Sequence, residues 1–305
     1  MGQAQSLWRL MLLVLSGVWL PQLGNAVDNT PDNAASSKPP AFTLERKPVW
    51  EIGLGGGYSG GFDYPASSER NQRTLFLPYA IYRGPTFRVG SGRVQAVAVE
   101  DPRFKLDLSV GASFNADSDG NSARSGMPDL DFLFEVGPRL EYRVFDWPIG
   151  DNSRSTLSWE NYIRAVFSTD FTRVDTRGVR LGSRLRYQYT DIGGKPIDFF
   201  ARLGPIWGSA DLQDYFYQVD PAFATDTRAA FKAGGGYLGS ELFYGIRFWA
   251  TRHFRLIAGS TLGFYDGAAN EDSPLFEQRR STSYALVVIW SIWQSPNAIE
   301  VFQED

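Results

Sequence analysis

The feature that most constrains this chain is a two-residue alternation of apolar and polar side chains between residues 130 and 144. The apolar side chains share one parity: Leu130, Phe132, Phe134, Val136, Leu140, Tyr142 and Val144. The other parity is mostly charged, with Asp131, Glu135, Arg139, Glu141 and Arg143, and Leu133 is its one apolar member. A strand points successive side chains to opposite faces, whereas a helix would scatter both classes around its surface. The segment therefore predicts a long β-strand with one apolar and one charged face.

The same alternation recurs along the chain. It is clear in residues 104–114, 179–189, 241–248 and 254–264. It is weaker in residues 49–58, 74–83, 94–100, 157–169, 197–207 and 283–293. These segments give eleven candidate strands, but a bacterial membrane barrel of this kind has an even number. We predict about twelve strands, with ten as the alternative, and place the missing strand at residues 215–219 or in a division of residues 229–249.

Long alternating strands are compatible with a soluble β-sandwich or with a membrane barrel. Most of the strands reach the roughly 9–11 residues that a tilted strand needs to cross a bilayer. Aromatic residues make up 15% of the chain, and many stand near strand ends, as interfacial girdles require. The polar face is rich in Gly, Arg and Glu, which is typical of a crowded wet lumen. We therefore predict an all-β fold, a transmembrane antiparallel up-and-down β-barrel.

The two ends of the chain read differently from the strands. Residues 1–26 resemble a signal peptide, because Arg9 precedes an apolar run and small residues end at Ala26. Residues 27–47 are rich in Asp, Asn, Ser and Pro and are expected to form a flexible leader. The predicted barrel occupies residues 48–293, and residues 294–305 form a C-terminal tail. We expect export through the Sec pathway and localisation in the cell outer membrane, in contact with its lipid.

Composition excludes several classes of protein. The chain contains no cysteine, so no disulfide framework holds it together. Its formal net charge of −4 argues against nucleic acid as a partner. The mean hydropathy of −0.26, without a long apolar run after the signal peptide, argues against a helical membrane protein. A barrel remains compatible, because only alternate residues of its strands face lipid.

The polar parity of the predicted strands gives a set of candidate lumen-lining residues. They are Arg139, Glu141, Arg143, Arg164, Arg180, Arg184, Arg186, Arg202, Glu241, Arg247 and Arg255. Glu135, Glu160 and Asp198 accompany them on the predicted inner face. An excess of arginine would favour anions in an open pore. We instead expect most of these charges to pair across the lumen, because side chains usually fill small barrels.

No constellation of catalytic or metal-binding residues emerges from the sequence. His253 is the only histidine and stands between two predicted strands, without a serine motif beside it. Asn115, Asp117 and Asp119 alternate as in some calcium loops, but Gly126 stands where the bidentate glutamate is required. We therefore predict no catalytic residue, no metal site and no cofactor, and a protein that is not an enzyme.

Several short blocks together resemble the MipA/OmpV family of outer-membrane proteins. They are Gly-Leu-Gly-Gly-Gly at 53–57, Asp63-Tyr64-Pro65, Leu77-Pro78-Tyr79, Ile81-Tyr82-Arg83-Gly84, the segment from Asn121 to Asp131, Glu135 with Gly137-Pro138, and Asp272-Ser273-Pro274-Leu275. The order and spacing of these blocks, rather than any one of them, carry the resemblance, which covers nearly all of the expected mature chain.

The resemblance implies a scaffold that brings a lytic transglycosylase together with a peptidoglycan synthase at the outer membrane. No catalytic residues are defined for that family, so none is transferred to this chain. Other members are described as porin-like proteins or adhesins. The expected function is therefore a non-catalytic scaffold for peptidoglycan-remodelling enzymes, with a small, anion-preferring porin-like channel or a surface adhesin as the alternative.

Overall fold

The computed structural model describes residues 44–302, apart from 86, 91, 92, 102, 114, 115, 117, 119 and 151. The strands are β1 (Leu44–Pro48), β2 (Trp50–Phe62), β3 (Arg70–Arg83), β4 (Phe87–Gly90), β5 (Arg93–Glu100), β6 (Phe104–Ser113), β7 (Phe132–Ile149), β8 (Ser153–Thr169), β9 (Val174–Thr190), β10 (Ile197–Gly208), β11 (Gly236–Trp249), β12 (Phe254–Phe264), β13 (Arg280–Gln294) and β14 (Ala298–Phe302). One α-helix, α1 (Ala210–Tyr217), and two short 3-10 turns, Ile192–Gly194 and Pro221–Phe223, interrupt them. The predicted signal peptide and the predicted leader as far as residue 43 lie outside the described residues.

Strands β2 to β13 form one closed antiparallel barrel in which each strand pairs with its neighbour in sequence and β13 pairs with β2. The predicted up-and-down barrel of twelve strands is therefore confirmed. The predicted position of the twelfth strand was wrong. That strand is β4, whereas residues 215–217 belong to α1 and the segment 229–249 contributes the single strand β11. β4 escaped the alternation test because four residues are too few to show a period.

The barrel is apolar outside and polar inside, the reverse of a soluble protein. On β7, Leu140 is 41% exposed, whereas the neighbouring Arg139 is 2% exposed. Leu54 and Leu185 are exposed on the same outer face. Apolar side chains that face outward at every second position are what a lipid-contacting barrel requires. Among the described residues, no helix is long and apolar enough to cross a membrane.

The two ends of the barrel differ in the length of their connections. β2 begins and β13 finishes at one end, here called the terminal end, where the connections 84–86, 101–103 and 150–152 are short. The four longest connections, 63–69, 114–131, 209–235 and 265–279, leave the strands at the opposite end. In bacterial outer-membrane barrels the short turns face the periplasm and the long loops face outward. The terminal end therefore corresponds to the periplasmic side.

A second, two-stranded sheet lies outside the barrel wall. β1 pairs antiparallel with β14, from Leu44 opposite Phe302 to Pro48 opposite Ala298. The sequence predicts a flexible leader and a C-terminal tail for most of these residues, and a strand in neither segment. Each segment has only five residues, and its pairing partner lies at the other end of the chain, so local alternation could not reveal the sheet.

The four long connections fold together into what we call the lid, defined as the described residues of 63–69, 114–131, 209–235 and 265–279. α1 is its helical part. Ser209 caps the helix by accepting a hydrogen bond from the backbone N–H of Leu212, and Asp211 adds negative charge in the first turn. The helix buries Leu212, Gln213, Phe216 and Tyr217 on one face. Because the lid and the lumen beneath it contain most of the buried polar groups, they form the candidate site.

Candidate functional site

A buried ladder of ion pairs runs along the inner wall across four neighbouring strands, β6 to β9. Arg139 donates from Nε and Nη2 to the two carboxylate oxygens of Asp107, at 3.1 and 2.6 Å. Nη1 of Arg139 lies 3.7 Å from Oε1 of Glu160. The other carboxylate oxygen of Glu160, Oε2, accepts a hydrogen bond from Nε of Arg184 at 2.5 Å. Arg186 places Nη1 3.3 Å from Glu141 and 3.7 Å from Glu160. These six charged side chains lie together on the inner faces of the neighbouring strands β6 to β9.

A second group of charges lies nearer the lid. Arg164 contacts Glu135 at 3.2 Å and donates from Nε to the hydroxyl of Ser109 at 3.0 Å. Arg180 bridges Glu135, at 3.5 Å, and Glu241, at 3.9 Å. Pairs of this kind in a low-dielectric interior offset part of the cost of burying each charge, and removing one partner is costly. The two groups together account for seven of the candidate lumen residues.

The remaining candidates lie elsewhere on the inner wall. Arg247 contacts Asp198 at 3.4 Å, and Arg255 lies 3.8 Å from Glu51, which also binds Arg83 at 2.7 Å. The guanidinium of Arg202 lies 5.6 Å from the ring centre of Phe243. Arg143 is partly buried on β7.

Sequence reasoning omitted several charged residues of the inner wall. Glu51 and Arg83 pair near the terminal end, and Asp146 pairs with Arg154 at 2.5 Å. Asp107, the closest partner of Arg139, was also absent from the candidate set. The parity of Asp107 within residues 104–114 was a usable signal. Parity gave no such signal for Asp146, because a register shift between Arg143 and Phe145 reverses the alternation before it.

The lid is held by hydrogen bonds between loops that are distant in sequence. The phenol of Tyr64 donates to the carbonyl of Leu275 at 2.8 Å, and the phenol of Tyr217 donates to the carbonyl of Pro65 at 2.9 Å. The hydroxyl of Ser273 donates to the carbonyl of Tyr217 at 2.7 Å. These bonds join three of the four connections into one body above the lumen.

Two buried arginines tie the loop 114–131 to the connection that contains α1. Arg124 donates to the carbonyls of Phe216, at 3.3 Å, and Pro128, at 3.0 Å. Arg228 donates to the carbonyls of Ala123 and Ser125, at 2.8 and 3.1 Å. Burial lowers the pKa of Arg124 from its usual value. Backbone carbonyls thus serve both arginines as hydrogen-bond acceptors inside the lid.

Tyrosines of the lid are shifted toward their neutral form. Burial raises the pKa of Tyr215 to about 12, and the nearby Asp131 carboxylate adds to that effect. Burial likewise raises the pKa of Tyr64 and of Tyr217. A phenol in such surroundings remains protonated well into the alkaline range, because its ionised form would lose hydration. The folded lid therefore favours the neutral, protonated form of these tyrosines.

Three of the blocks that carry the family resemblance, at residues 63–65, 121–131 and 272–275, meet in this lid. Asn121 donates from Nδ2 to Asp63 at 3.0 Å, which joins the second block to the middle one. Tyr64 reaches Leu275 and so joins the second block to the last. The resemblance between sequences thus corresponds to one physical structure, in which segments far apart in the chain contact each other.

Space remains in the lumen beneath the lid. A cavity of about 300 Å³ lies directly under α1, another of about 270 Å³ lies beside Arg184 and Arg202, and a third of about 550 Å³ lies along β2, β12 and β13. Thr261 lines all three. Pockets of this size accommodate small organic molecules.

The histidine does not form a catalytic pair with a hydroxyl. Nδ1 of His253 lies 3.0 Å from the carbonyl oxygen of Ser291, whereas the hydroxyl of Ser291 donates to Glu51 at 2.9 Å. Within the described residues, no group of three or more His, Cys, Asp or Glu side chains is arranged to hold a metal ion. Asn115, Asp117 and Asp119 lie outside the described residues.

The chain has weak similarity to several outer-membrane proteins of known structure. The chain is similar to an active-site mutant of the outer membrane phospholipase A of Escherichia coli, with 15% identity, a TM-score of 0.34 and coverage of 85% of this chain and 96% of that one. It is similar to an outer membrane channel of Pseudomonas putida F1, with 12% identity, a TM-score of 0.35 and coverage of 83% and 98%. It is also similar to the Pseudomonas putida toluene transporter TodX, with 9% identity, a TM-score of 0.25 and coverage of 81% and 68%.

No curated protein matches the chain. The family described as MltA-interacting protein MipA matches it over residues 52–292, from the first strand of the barrel to the last. That span contains every block of the earlier resemblance, the ion-pair ladder and all four connections of the lid. This outer-membrane β-barrel therefore belongs to the MltA-interacting protein MipA family.

Proposed function

We propose that this protein is a non-catalytic scaffold of the outer membrane that binds a lytic transglycosylase of the MltA class and brings it together with a peptidoglycan synthase. The match to the MltA-interacting protein family over residues 52–292 carries the proposal. Export through the Sec pathway, with cleavage after Ala26 and insertion among outer-membrane lipids, is part of the same proposal.

The two ends of the barrel offer different surfaces to a partner. Peptidoglycan lies on the periplasmic side, to which the short connections of the terminal end correspond. The terminal sheet, β1 with β14, stands at that end and exposes Arg46 and Glu300. We place partner binding on this terminal surface, because the long loops at the other end are occupied with one another in the lid.

The filled lumen supports scaffolding over transport. The ladder around Glu160 occupies the inner side of β6 to β9, and the lid covers the barrel end that lies opposite the terminal end. An ion would have to displace charge-assisted contacts in surroundings where they attract strongly. The environment of His253, whose ring contacts a backbone carbonyl, supports a non-catalytic role.

The alternative function is a small porin-like channel that prefers anions. The excess of arginine on the inner wall and the cavities beneath the lid favour it. An adhesin would use the outer surface of the lid. The scaffold and the channel predict different effects of losing the protein. Loss of a scaffold impairs recruitment of murein enzymes, whereas loss of a channel impairs uptake of small solutes.

The deciding experiment is affinity capture of the full-length protein from detergent-solubilised outer membranes, with murein hydrolases and synthases identified by mass spectrometry. We expect recovery of a lytic transglycosylase, and a deletion strain that loses its recruitment while small-solute uptake stays intact. The charge reversal Arg280→Glu at the lid end serves as a control and should not affect capture, because Arg280 lies away from the terminal surface. Unchanged murein enzymes in the deletion strain, together with large single-channel steps, would establish the channel instead.

A further inference from the structure

Two arginines stand on the outer face of the barrel at its lid end. Arg70 begins β3 and Arg280 begins β13, and exposed and half-buried residues alternate after each of them. On β13 the parity of Arg280 is that of Tyr284 and Leu286, which are exposed toward lipid. On β3 the parity of Arg70 is that of Phe76, which is also exposed. Both arginine side chains therefore project outward from the wall and not into the lumen.

A single strand separates the two arginines. β2 lies between β3 and β13, and Phe62 of β2 stands directly opposite Arg70. Because neighbouring strands lie about 4.8 Å apart, the two arginines are separated by about 10 Å across the sheet. The guanidinium of Arg70 lies 4.7 Å from the ring centre of Phe62, a cation–π contact that holds it against the wall. One ligand with two anionic groups can therefore contact both guanidinium groups.

Neither guanidinium has an acidic partner among the described residues. The adjacent Arg279 provides the contrast, since it lies 2.9 Å from Glu271 and 3.6 Å from Asp266. An arginine carries five N–H donors and no acceptor, so an exposed guanidinium without a carboxylate keeps its donors available to an anion from outside the chain.

The carboxylates closest in sequence to the two arginines are engaged in the lid. Glu69 accepts a hydrogen bond from the hydroxyl of Ser122 at 2.9 Å. Glu277 accepts hydrogen bonds from the backbone N–H and from the hydroxyl of Ser68, both at 2.8 Å. These acids thus serve contacts between loops, and the outer wall beside them keeps two positive charges.

The depth of the arginines along the wall indicates which anion they meet. Tyr58 of β2 and Tyr284 of β13 form a ring pair on the outer face, with ring centres 6.0 Å apart, and such tyrosines mark the boundary between hydrocarbon and head groups. Arg280 lies four residues beyond Tyr284 toward the lid. Phe62, the residue opposite Arg70, lies four residues beyond Tyr58. At a rise of about 3.3 Å per residue and a tilt of about 45°, the arginines stand roughly 9 Å outside the ring pair, among lipid head groups.

We propose that Arg70 and Arg280 bind the two phosphate groups of an acylated, bisphosphorylated sugar lipid of the outer leaflet, of the lipid A class. Each phosphate accepts charge-assisted hydrogen bonds from one guanidinium. The acyl chains descend along the outer face of β2 and β13, past the exposed Leu54 and Leu286. A lipid with a single phosphate can satisfy only one of the two arginines. This site lies at the barrel end opposite the terminal surface and is independent of the proposed scaffold.

Alanine variants remove the two charges without altering the lumen or the lid. Arg70→Ala and Arg280→Ala are made alone and together. Arg173→Ala is the matched control, because Arg173 is an exposed arginine at the same end but on the opposite side of the barrel, where it contacts Asp170 and Asp175 at 3.7 and 3.5 Å. Surface substitutions of this kind change stability little, and a comparison of unboiled with boiled protein on an SDS gel confirms that each variant folds.

The probe is bisphosphorylated, hexa-acylated lipid A, added to the full-length protein refolded from urea into a non-ionic detergent, so that no lipid of the host cell is present. Native mass spectrometry measures the lipid bound per barrel. We expect about one equivalent on the wild type and on Arg173→Ala, and binding about tenfold weaker or more on the double alanine variant, because two charge-assisted contacts are lost. Each single variant should fall between them. Monophosphoryl lipid A should bind more weakly than the bisphosphorylated form, and phosphatidylglycerol more weakly still.

A competition arm separates a lipid site from a site for any anion. Excess inorganic phosphate at constant ionic strength should not displace the lipid, because free phosphate lacks the acyl contacts. The proposal is overturned if the wild type binds no lipid A, if the folded double variant binds it as tightly as the wild type, if either lipid with one phosphate binds equally well, or if inorganic phosphate displaces the probe. None of these results bears on partner capture, which concerns the terminal surface.

Discussion

Arg139 on β7 and Asp107 on β6 stand directly opposite each other and share two hydrogen bonds, at 3.1 and 2.6 Å, inside an almost fully enclosed part of the lumen. Arg139 also lies 3.7 Å from Glu160 on β8. One guanidinium therefore compensates two buried carboxylates on the two strands that flank it. The stability of this part of the wall should therefore depend on the charge of Arg139 more than on the volume of its side chain.

We expect Arg139→Met to destabilise the barrel by about 3–5 kcal/mol, because it keeps most of the side-chain volume and removes both hydrogen bonds that Arg139 donates to the buried Asp107 carboxylate. Urea titration of the folded protein in lipid vesicles, followed by tryptophan fluorescence, measures the change. The double variant Arg139→Met with Asp107→Leu should recover part of the loss, since it removes both charges.

A surface ion pair provides the control for this prediction. Arg173 lies 3.7 Å from Asp170 in the exposed turn between β8 and β9. Arg173→Met should change the stability by about 1 kcal/mol or less, because exposed pairs contribute little. Equal losses for the two arginine variants would show that the lumen is far wetter than the buried ladder indicates.

The filled bore predicts low or no steady conductance of the purified protein in planar bilayers. Arg184→Glu combined with Arg186→Glu replaces both arginines that contact Glu160 from β9. We expect the new carboxylates to repel Glu160, open the bore and produce a conductance that prefers cations. Large, stable, anion-preferring steps from the wild type, weakened by the same double variant, would contradict the filled-lumen reading.

The lid should lose stability in alkaline solution. The pKa of Tyr215 is raised to about 12 in the folded protein, whereas an unfolded tyrosine titrates near 10.0. The stabilisation from the neutral phenol is therefore complete below pH 10 and is lost as the pH rises toward 12. The difference in absorbance at 295 nm between wild type and Tyr215→Phe isolates this residue, and a transition near pH 10 in the folded protein would contradict the prediction.

Depth in the membrane should set the cost of a charge on the outer face. Leu140 lies in the interior of β7, whereas Phe134 stands near its lid end and stacks on Phe167 at 5.2 Å. We expect Leu140→Arg to make the free energy of folding into the membrane less favourable by about 2–4 kcal/mol, and Phe134→Arg to have a smaller effect. Ser283→Arg, which places the same charge in the lumen cavity, is the control. The reading of inside and outside is wrong if Ser283→Arg costs more than Leu140→Arg.

The terminal sheet can be tested by a charge swap. Arg46 on β1 stands opposite Glu300 on β14, and opposite charges at such positions favour pairing by about 0.2–1 kcal/mol. Arg46→Glu should loosen the sheet and speed hydrogen exchange of its backbone amides. Adding Glu300→Arg should restore slow exchange. If the double variant exchanges as fast as the single one, the two strands do not pair in this register.

Alternation predicted most of the barrel because it is a local property. β7 and β12 were recognised since every second residue faces lipid over many positions. The same test could not find β4, which has four residues, nor α1, whose Ser209 cap and buried Leu212 and Phe216 follow a helical spacing. The aromatic content of residues 215–219 resembled a strand and obscured that spacing.

The site was less accessible to sequence reasoning than the wall. Parity indicates that Arg139 and Glu160 share the lumen, but only the register of β7 against β8 shows that they meet. The lid depends on contacts such as Tyr64 with Leu275, which no local pattern encodes.

The lid has a consequence for the order in which this protein matures. Tyr64 and Leu275 are separated by 211 positions, and Tyr217 reaches Pro65 over 152. Contacts of such long range form late, after the intervening chain has lost its freedom. The hairpins that carry these loops become neighbours only when β13 has met β2. Resistance of the outer loops to an added protease therefore reports when β13 has paired with β2. A barrel that stalls during insertion is cut in these loops, whereas a completed barrel is not.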